Sequence, residues 1–399
     1  MREVYYTRPM INLDCASHTP IDERVLAEFC RVERDFPGNV MAAHTAGRKA
    51  MEEMERVTNG IAELLNVQPQ EIIFTSGASE ANNLAIKGIA KAYEYEGKHI
   101  LSTCLEHPSV SGTLSALQLS GYEIELLKIL PNGNIDTAHL KTVMRRDTVL
   151  ICISAADSEL GAIQPISDIL EILEAHPHCH LHVDAAQAMG KTPLGQMHSA
   201  STFCFSPHKF HGPCGVGVLV KREGVVLEPL IHGGRSTTIY RSGTPALSLA
   251  AATYMALKLS FNEMDERLEV VKRTREYVLD GLKPFPLVRI NSPIDGSPYI
   301  LNISVSGIKG IDFQAALDRH GICVSVKSAC STDRAPSRPV MAISHDKKNA
   351  LASWRISFCH LTTTREIDTF LSAFTQIYKE LSPNEKRTNP HSANRAQHS

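Results

Sequence analysis

Two rhythms of apolar residues alternate along this chain. Short runs at Glu71 to Thr75, His99 to Thr103, Tyr122 to Leu127, Val149 to Ser154, His180 to Asp184 and Gly215 to Val220 read as strands. Between them lie helical or loop segments. Met51, Met54, Val57, Ile61, Leu64 and Leu65 recur at helical spacing, and Leu84, Ile86 and Ile89 follow the small polar turn Thr75 to Glu80. Strands alternating with helices predict an α/β fold, a mostly parallel sheet covered on both faces. Ligands of such sheets sit at the strands' carboxyl ends, where Thr75, His107, Asp184 and Lys209 all fall. Residues 1–47, punctuated by Pro20, Pro37, Gly38 and Asn39, read as irregular.

After Pro245 the rhythm changes. A long helical segment, Ala246 to Leu282, ends at Pro284 and Pro286. Strand-like Tyr299 to Val305, a helix near Asp312 to His320, a loop from Ser328 to about Lys348, a strand at Trp354 to Phe358 and a last helix from Thr364 to Leu381 follow. This predicts a large domain over 15–250, a smaller α+β domain made of 1–14 and 251–381, and a disordered polar tail, 382–399. At 399 residues and 43% hydrophobic content, the chain is long for one compact domain, which agrees with two lobes.

A formal net charge of −2 gives no electrostatic case for nucleic acid or anionic membrane as a direct partner. Without a signal-like N-terminus or a membrane-length apolar stretch, a cytoplasmic protein is expected. The ten cysteines are scattered without a C-x-x-C pair, a pattern of free thiols rather than disulfides or zinc. His176, His178, His180 and His182 cluster, but as strand residues His180 and His182 share a face at the mouth of the expected site, and no metal is assigned.

The stretch Phe203 to Pro213 sets Lys209 among apolar and small residues, ahead of the Gly-rich run Gly212 to Gly217. A lysine held off from water titrates low and becomes an amine nucleophile, as a Schiff-base lysine must. Read alone, Lys209 is equally a solvated surface charge. The run Leu181 to Asp184 tips the balance, because it ends in a carboxylate followed by small residues. Pyridoxal-phosphate enzymes need a lysine for the aldehyde and an acid for the pyridinium nitrogen, and Lys209 and Asp184 supply that pair. The strand, small turn and helix around Ser76 to Glu80 then read as a phosphate site on helix N–H groups, although alone they are an ordinary capped helix start.

These motifs are joined by Leu13-Asp14, Glu106-His107, His182-Val183-Asp184-Ala185-Ala186-Gln187, Ser206-x-His208-Lys209, Arg241-Ser242-Gly243-Thr244, Ser328-Ala329-Cys330 and Arg355-Ile356-Ser357. Their order resembles the cysteine desulfurases of the class V aminotransferase group, fold-type I pyridoxal-phosphate enzymes. The resemblance covers nearly the whole chain. It implies pyridoxal 5'-phosphate joined to Lys209, Asp184 at the pyridine nitrogen, Gln187 at the phenolic oxygen, and His107 stacked on the ring and moving protons. Ala78, Ser79, Ser206 and His208 would hold the phosphate, with Thr244 reaching the phosphate of the other subunit in a homodimer with shared sites. Arg355, Ser158 and Asn39 fall on the substrate side. L-cysteine would become L-alanine, its sulfur left as a persulfide on Cys330, in a long mobile loop, for a sulfur-acceptor protein.

Some positions depart from the family. Ser158 stands where an asparagine is usual, offering one donor where an amide offers two, which predicts weaker cysteine binding or slower turnover. The segment 235–240 and the polar tail differ from members serving iron–sulfur cluster assembly, which favours a specialised sulfur donor, DNA phosphorothioation ahead of tRNA thiolation. A selenocysteine lyase or other pyridoxal-phosphate lyase is the competing enzyme reading. A non-catalytic interaction platform is opposed by the intact Lys209, Asp184, His107 and Arg355.

Overall fold

The computed structural model describes residues 10–193, 195–234, 236–327 and 335–382. Its strands are β1 Ile11–Asn12, β2 Ile72–Thr75, β3 His99–Ser102, β4 Glu123–Leu126, β5 Thr148–Ser154, β6 His180–Asp184, β7 Thr202–Phe205, β8 Gly217–Lys221, β9 Val288–Ile290, β10 Ile300–Val305, β11 Ile322–Cys323 and β12 Ser353–Ser357. The helices are α1 Glu23–Asp35, α2 Thr45–Leu65, α3 Ala78–Ala92, α4 Pro108–Leu119, α5 Thr137–Val143, α6 Ile166–Leu173, α7 Leu247–Asn262, α8 Met264–Leu282, α9 Gly310–Arg319, α10 Arg338–Ser344, α11 Lys347–Ala352 and α12 Thr364–Leu381.

Seven strands form one sheet in the order β2-β8-β7-β6-β5-β3-β4, in which only β8 runs against its neighbours. Successive side chains of a strand point to opposite faces, and the cores follow that alternation. Ile151, Ile153, Leu181, Val183, Phe203 and Phe205 enter the core shared with α1, α2 and α7. Leu150, Cys152 and Cys204 enter the one shared with α3 and α4 on the other face. Both faces are covered, so the strands read as continuous apolar runs. A third core joins Leu13 and Ala16 to α8, α9, α12 and the antiparallel sheet β12-β10-β9. The architecture is an α/β fold of the fold-type I kind with a mostly parallel central sheet, as its sequence predicts.

Three local expectations are corrected. Residues 1–47 are not irregular throughout: Asp22 caps α1, whose Val25, Phe29 and Val32 recur at helical spacing and pack on the core, a short stripe lying between Pro20 and Pro37. The long helical segment is two helices that meet at Glu263. The first, α7, packs against α1 and α2, so the chain stays with the first core beyond residue 250. The expected loop reaching Lys348 contains α10 and α11, capped by Ser337 and Asp346; Pro339 lies in the first turn of α10, where its missing N–H costs nothing. Among the described residues no helix is long and apolar enough to cross a membrane, and the described cysteines are free thiols. Cys330, Ser328 and Ala329, and the tail beyond Ser382, lie outside the described residues.

Candidate active site

A cavity of about 340 Å³ opens where β2, β3, β5, β6 and β7 end. It is lined by Ala78, Ser79, His107, Ser158, Asp184, Gln187, Ser206, His208 and Lys209, residues drawn from five separate chain segments. The parallel sheet explains the convergence, since every one of those strands points its carboxyl end the same way.

The wall nearest β2 is the start of α3. The Ala78 N–H donates to Ser206 Oγ at 2.7 Å, and the helix dipole adds partial positive charge there. The loop holding those amides lies against β8. A Cβ on Gly217 would come within 2.5 Å of the Gly77 carbonyl carbon, so only glycine lets the loop sit so close. Glu80 accepts from the Ser76 N–H at 2.7 Å and pairs with Arg241 at 2.9 Å, which offsets a carboxylate near an anion site. His208 stacks on His18, and its Nδ1 is buried without a partner among the described residues. Burial, reinforced by Lys209, holds the His208 imidazole down at about 4.

The floor is Asp184, 5% exposed. Its Oδ2 accepts from Asn82 Nδ2 at 2.8 Å and its Oδ1 from the Ala186 N–H at 3.0 Å. His107 caps α4, with Nδ1 accepting the Ser109 N–H at 3.1 Å and standing 2.8 Å from Ser109 Oγ; burial lowers its pKa. Beside it, burial pushes the Glu106 carboxyl up to about 7, despite hydrogen bonds from Ser154 and Thr103. Lys209 Nζ donates to the carbonyls of Ala16 at 3.0 Å and Ser17 at 2.8 Å. Gln187 Nε2 donates to the same Ala16 carbonyl at 2.9 Å, and its Oε1 accepts from Lys191 Nζ at 2.9 Å. Lys191 is buried, which brings its amine down to about 7.

Three of the residues named from sequence do not line the cavity. Arg355 is 1% exposed and sits behind Ser158. It donates Nη1 to the Ser158 carbonyl at 2.6 Å and Nη2 to Asp14 Oδ1 at 2.7 Å and Ser17 Oγ at 2.8 Å. Thr244 and Asn39 are exposed, and Asn39 uses its Oδ1 to accept the Met41 N–H at 2.9 Å. His180 and His182 share a face of β6, the one covered by α3, but it is not at the mouth of the cavity. His182 is fully buried below Asp184, between Asn82 and Thr202, while His180 lies against Tyr93 near the other end of the strand. Asn82, Ser109 and Lys191 belong to the site without being named by its motifs, although Asn82 stands one helical turn after Ala78, two residues past the Thr75 to Glu80 turn.

The residues fit pyridoxal phosphate. A buried acid on the floor, a lysine at the wall, helix amides beside a serine, and an unpartnered buried nitrogen on His208 are donors and acceptors matched to its nitrogen, aldehyde and phosphate.

Comparison with known proteins agrees. The cysteine desulfurase IscS of Pectobacterium carotovorum subsp. carotovorum (strain PC1) is 36% identical over 367 residues, covering 90% of each chain. A solved NifS-like protein superposes with a TM-score of 0.88 at 32% identity, covering 94% of this chain and all of that one. SspA, solved in complex with cysteine, gives a TM-score of 0.77 at 28% identity, covering 88% and 99%. The family described as Aminotransferase class-V matches residues 11–370, and the chain therefore belongs to the class V aminotransferases, a family of pyridoxal-phosphate enzymes.

Proposed function

We propose that this protein is a pyridoxal-phosphate-dependent cysteine desulfurase that converts L-cysteine to L-alanine and leaves the sulfur on Cys330. The observation that carries the reading is the meeting of Lys209, Asp184, His107 and the α3 amides in one cavity, in a chain whose relatives include cysteine desulfurases. The cofactor supplies an electron sink at the substrate's α-carbon. Asp184, fixed by Asn82 and Ala186, presents an acceptor to the pyridine nitrogen. Gln187 Nε2 gives one hydrogen to Ala16 and keeps a second for the phenolic oxygen. Ala78, Ser79, Ser206 and His208 hold the phosphate. Lys209, held by two carbonyls, is the amine that exchanges with the substrate and carries its α-proton. Arg355 and Ser158 receive the carboxylate, with Asn39 at the approach.

The Cys330 thiolate forms a sulfur–sulfur bond as the substrate's carbon–sulfur bond breaks. The electron pair of that bond stays on the carbon, which is then protonated, so cysteine plus thiol becomes alanine plus persulfide. A homodimer completes each site with the other subunit's Thr244. In support, Val226, Leu230, Ile231 and Ile239 are exposed apolar residues leading up to it. The sulfur passes to an acceptor protein in the cytoplasm. DNA phosphorothioation is favoured as the destination because the 235–240 segment and the tail depart from the iron–sulfur assembly pattern.

Alanine and sulfide release from L-cysteine with reductant, compared between the parent and Cys330→Ala, tests the reading. Activity in the parent and none in the variant is expected. Equal activity in both would replace the desulfurase with a direct lyase, and selenocysteine would then be the substrate to try.

A further inference from the structure

Asn82 is fully buried and uses the whole bonding capacity of its amide. Its Nδ2 gives one hydrogen to Asp184 Oδ2 and the other to Ser109 Oγ, both at 2.8 Å. Its Oδ1 accepts from His182 Nε2 at 2.8 Å and from the Cys204 thiol at 2.9 Å, a thiol that burial keeps protonated. Two donors and two acceptor positions are all that an amide has. Turning it over would set its oxygen against the Asp184 carboxylate, so a single orientation survives.

That orientation dictates where protons sit on both sides. Asn82 Oδ1 can only accept, so the His182 proton is on Nε2. Burial holds that imidazole neutral, down at about 4, and its Nδ1 takes the Thr202 hydroxyl at 2.9 Å. On the other arm, Ser109 Oγ already receives a hydrogen from Asn82, and its own hydrogen turns to His107 Nδ1, 2.8 Å away. The Ser109 N–H, which can only donate, reaches the same Nδ1 at 3.1 Å. His107 Nδ1 therefore accepts twice, and the neutral ring carries its proton on Nε2.

We infer that Asn82 is a positioning residue that couples Asp184 to His107 through Ser109, holding one as an acceptor and aiming a second donor at the Nδ1 of the other, which reinforces the Nε2–H form that the Ser109 N–H already favours. This deepens the proposed function, on which the roles of Asp184 and His107 rest. His107 then meets the substrate as a proton donor, and removal of the α-proton falls to Lys209. The carboxyl end of β6 and the start of α4 are tuned by one side chain that touches neither substrate nor cofactor.

Asn82→Asp tests the inference, because it replaces both N–H donors with acceptors. In histidine-labelled protein without cofactor, nitrogen NMR, with His107 assigned by His107→Gln, is expected to show the parent ring protonated on Nε2 alone. In the variant, Ser109 turns its hydroxyl to the new carboxylate, so His107 Nδ1 keeps only the Ser109 N–H and its resonance moves downfield, toward that of a free unprotonated ring nitrogen. An unshifted Nδ1 resonance in the variant, or a protonated Nδ1 in the parent, overturns the inference. Neither result depends on turnover, so the desulfurase reading can fail separately. If Asn82→Asp does not fold, a cycle of Asn82→Ala and Ser109→Ala decides. Each should lower kcat about tenfold with little change in KM, and the double variant should lose no more than the worse single. Additive losses would mean that the two act independently, against the inference.

Discussion

The two ends of the pocket differ in what already occupies their polar groups. At the floor, Asp184, Asn82, His182, Thr202 and Ser109 bond one another on elements of a single sheet and its covering helices, and the groups that face the cavity are left in fixed orientations. At the Arg355 end, a guanidinium of the small antiparallel sheet holds Asp14, Ser17 and the Ser158 carbonyl, so its best donors point at the protein's own oxygens. The floor is preorganised for what binds there. On the proposed reading, the Arg355 end exchanges Asp14 or Ser17 for the substrate's carboxylate before it grips with two parallel bonds. Preorganisation belongs to the electronic half of the site, exchange to the recognition half.

The sharpest way to break this contrast is at the floor. Asp184→Asn keeps the shape and loses the charge, and kcat for alanine formation should fall about a hundredfold or more with KM little changed, as steady-state kinetics would read. A loss confined to KM would mean that the floor serves binding rather than chemistry. At the opposite end, Asp14→Asn releases Arg355 from its internal carboxylate. The KM for L-cysteine should drop several-fold, while denaturant unfolding shows a cost of about 1–3 kcal/mol from the weakened pair. An unchanged KM would show that Asp14 and the substrate do not compete.

The smallest effect concerns stability alone. Glu106 has its folded-state pKa raised to about 7 by burial, above the ordinary 4.5, so the stability it contributes is full below about 4.5 and is lost as pH rises to 7. Glu106→Gln removes that dependence. The variant should gain on the parent by up to about 3 kcal/mol as pH is raised through this window, measured by urea unfolding at each pH. Parallel curves would place the carboxyl nearer water than its burial implies.

Much of this architecture is legible in the chain. The parallel strands announce themselves as apolar runs, and the order Ser76 to Glu80, His107, Asp184, Lys209 places those segments at carboxyl ends that the sheet gathers into one cavity. What stays hidden depends on partners far apart in sequence. Asn82 looks like one more polar residue of a helix until α4, β6 and β7 bring Ser109, Asp184, His182 and Cys204 around it. The pairing of Arg355 with Asp14 needs the bridge that sets Asp14 beside Ser357, joining the start of the chain to its last strand. Helix α1 is legible too, since Val25, Phe29 and Val32 stand at helical spacing after the Asp22 cap, and what the sequence hides is only that α7 covers that stripe. Pattern reveals elements, whereas assembly decides which side chains share a proton.

Gly217 has one more consequence, for the order of events during synthesis. The strand it begins slots antiparallel between β2 and β7, pairing Ile72 with Val220 and Phe203 with Val220 from the other side. The turn ahead of α3 can be pressed into its final shape only when a segment made much later arrives to back it. Closing so long a loop is slow compared with forming any helix. A ribosome must therefore deliver more than half of the chain before the anion-facing amides are set. A nascent chain stalled short of β8 would hold Asp184 and Lys209 and still have no finished cradle, so cofactor capture would report that the first lobe has closed.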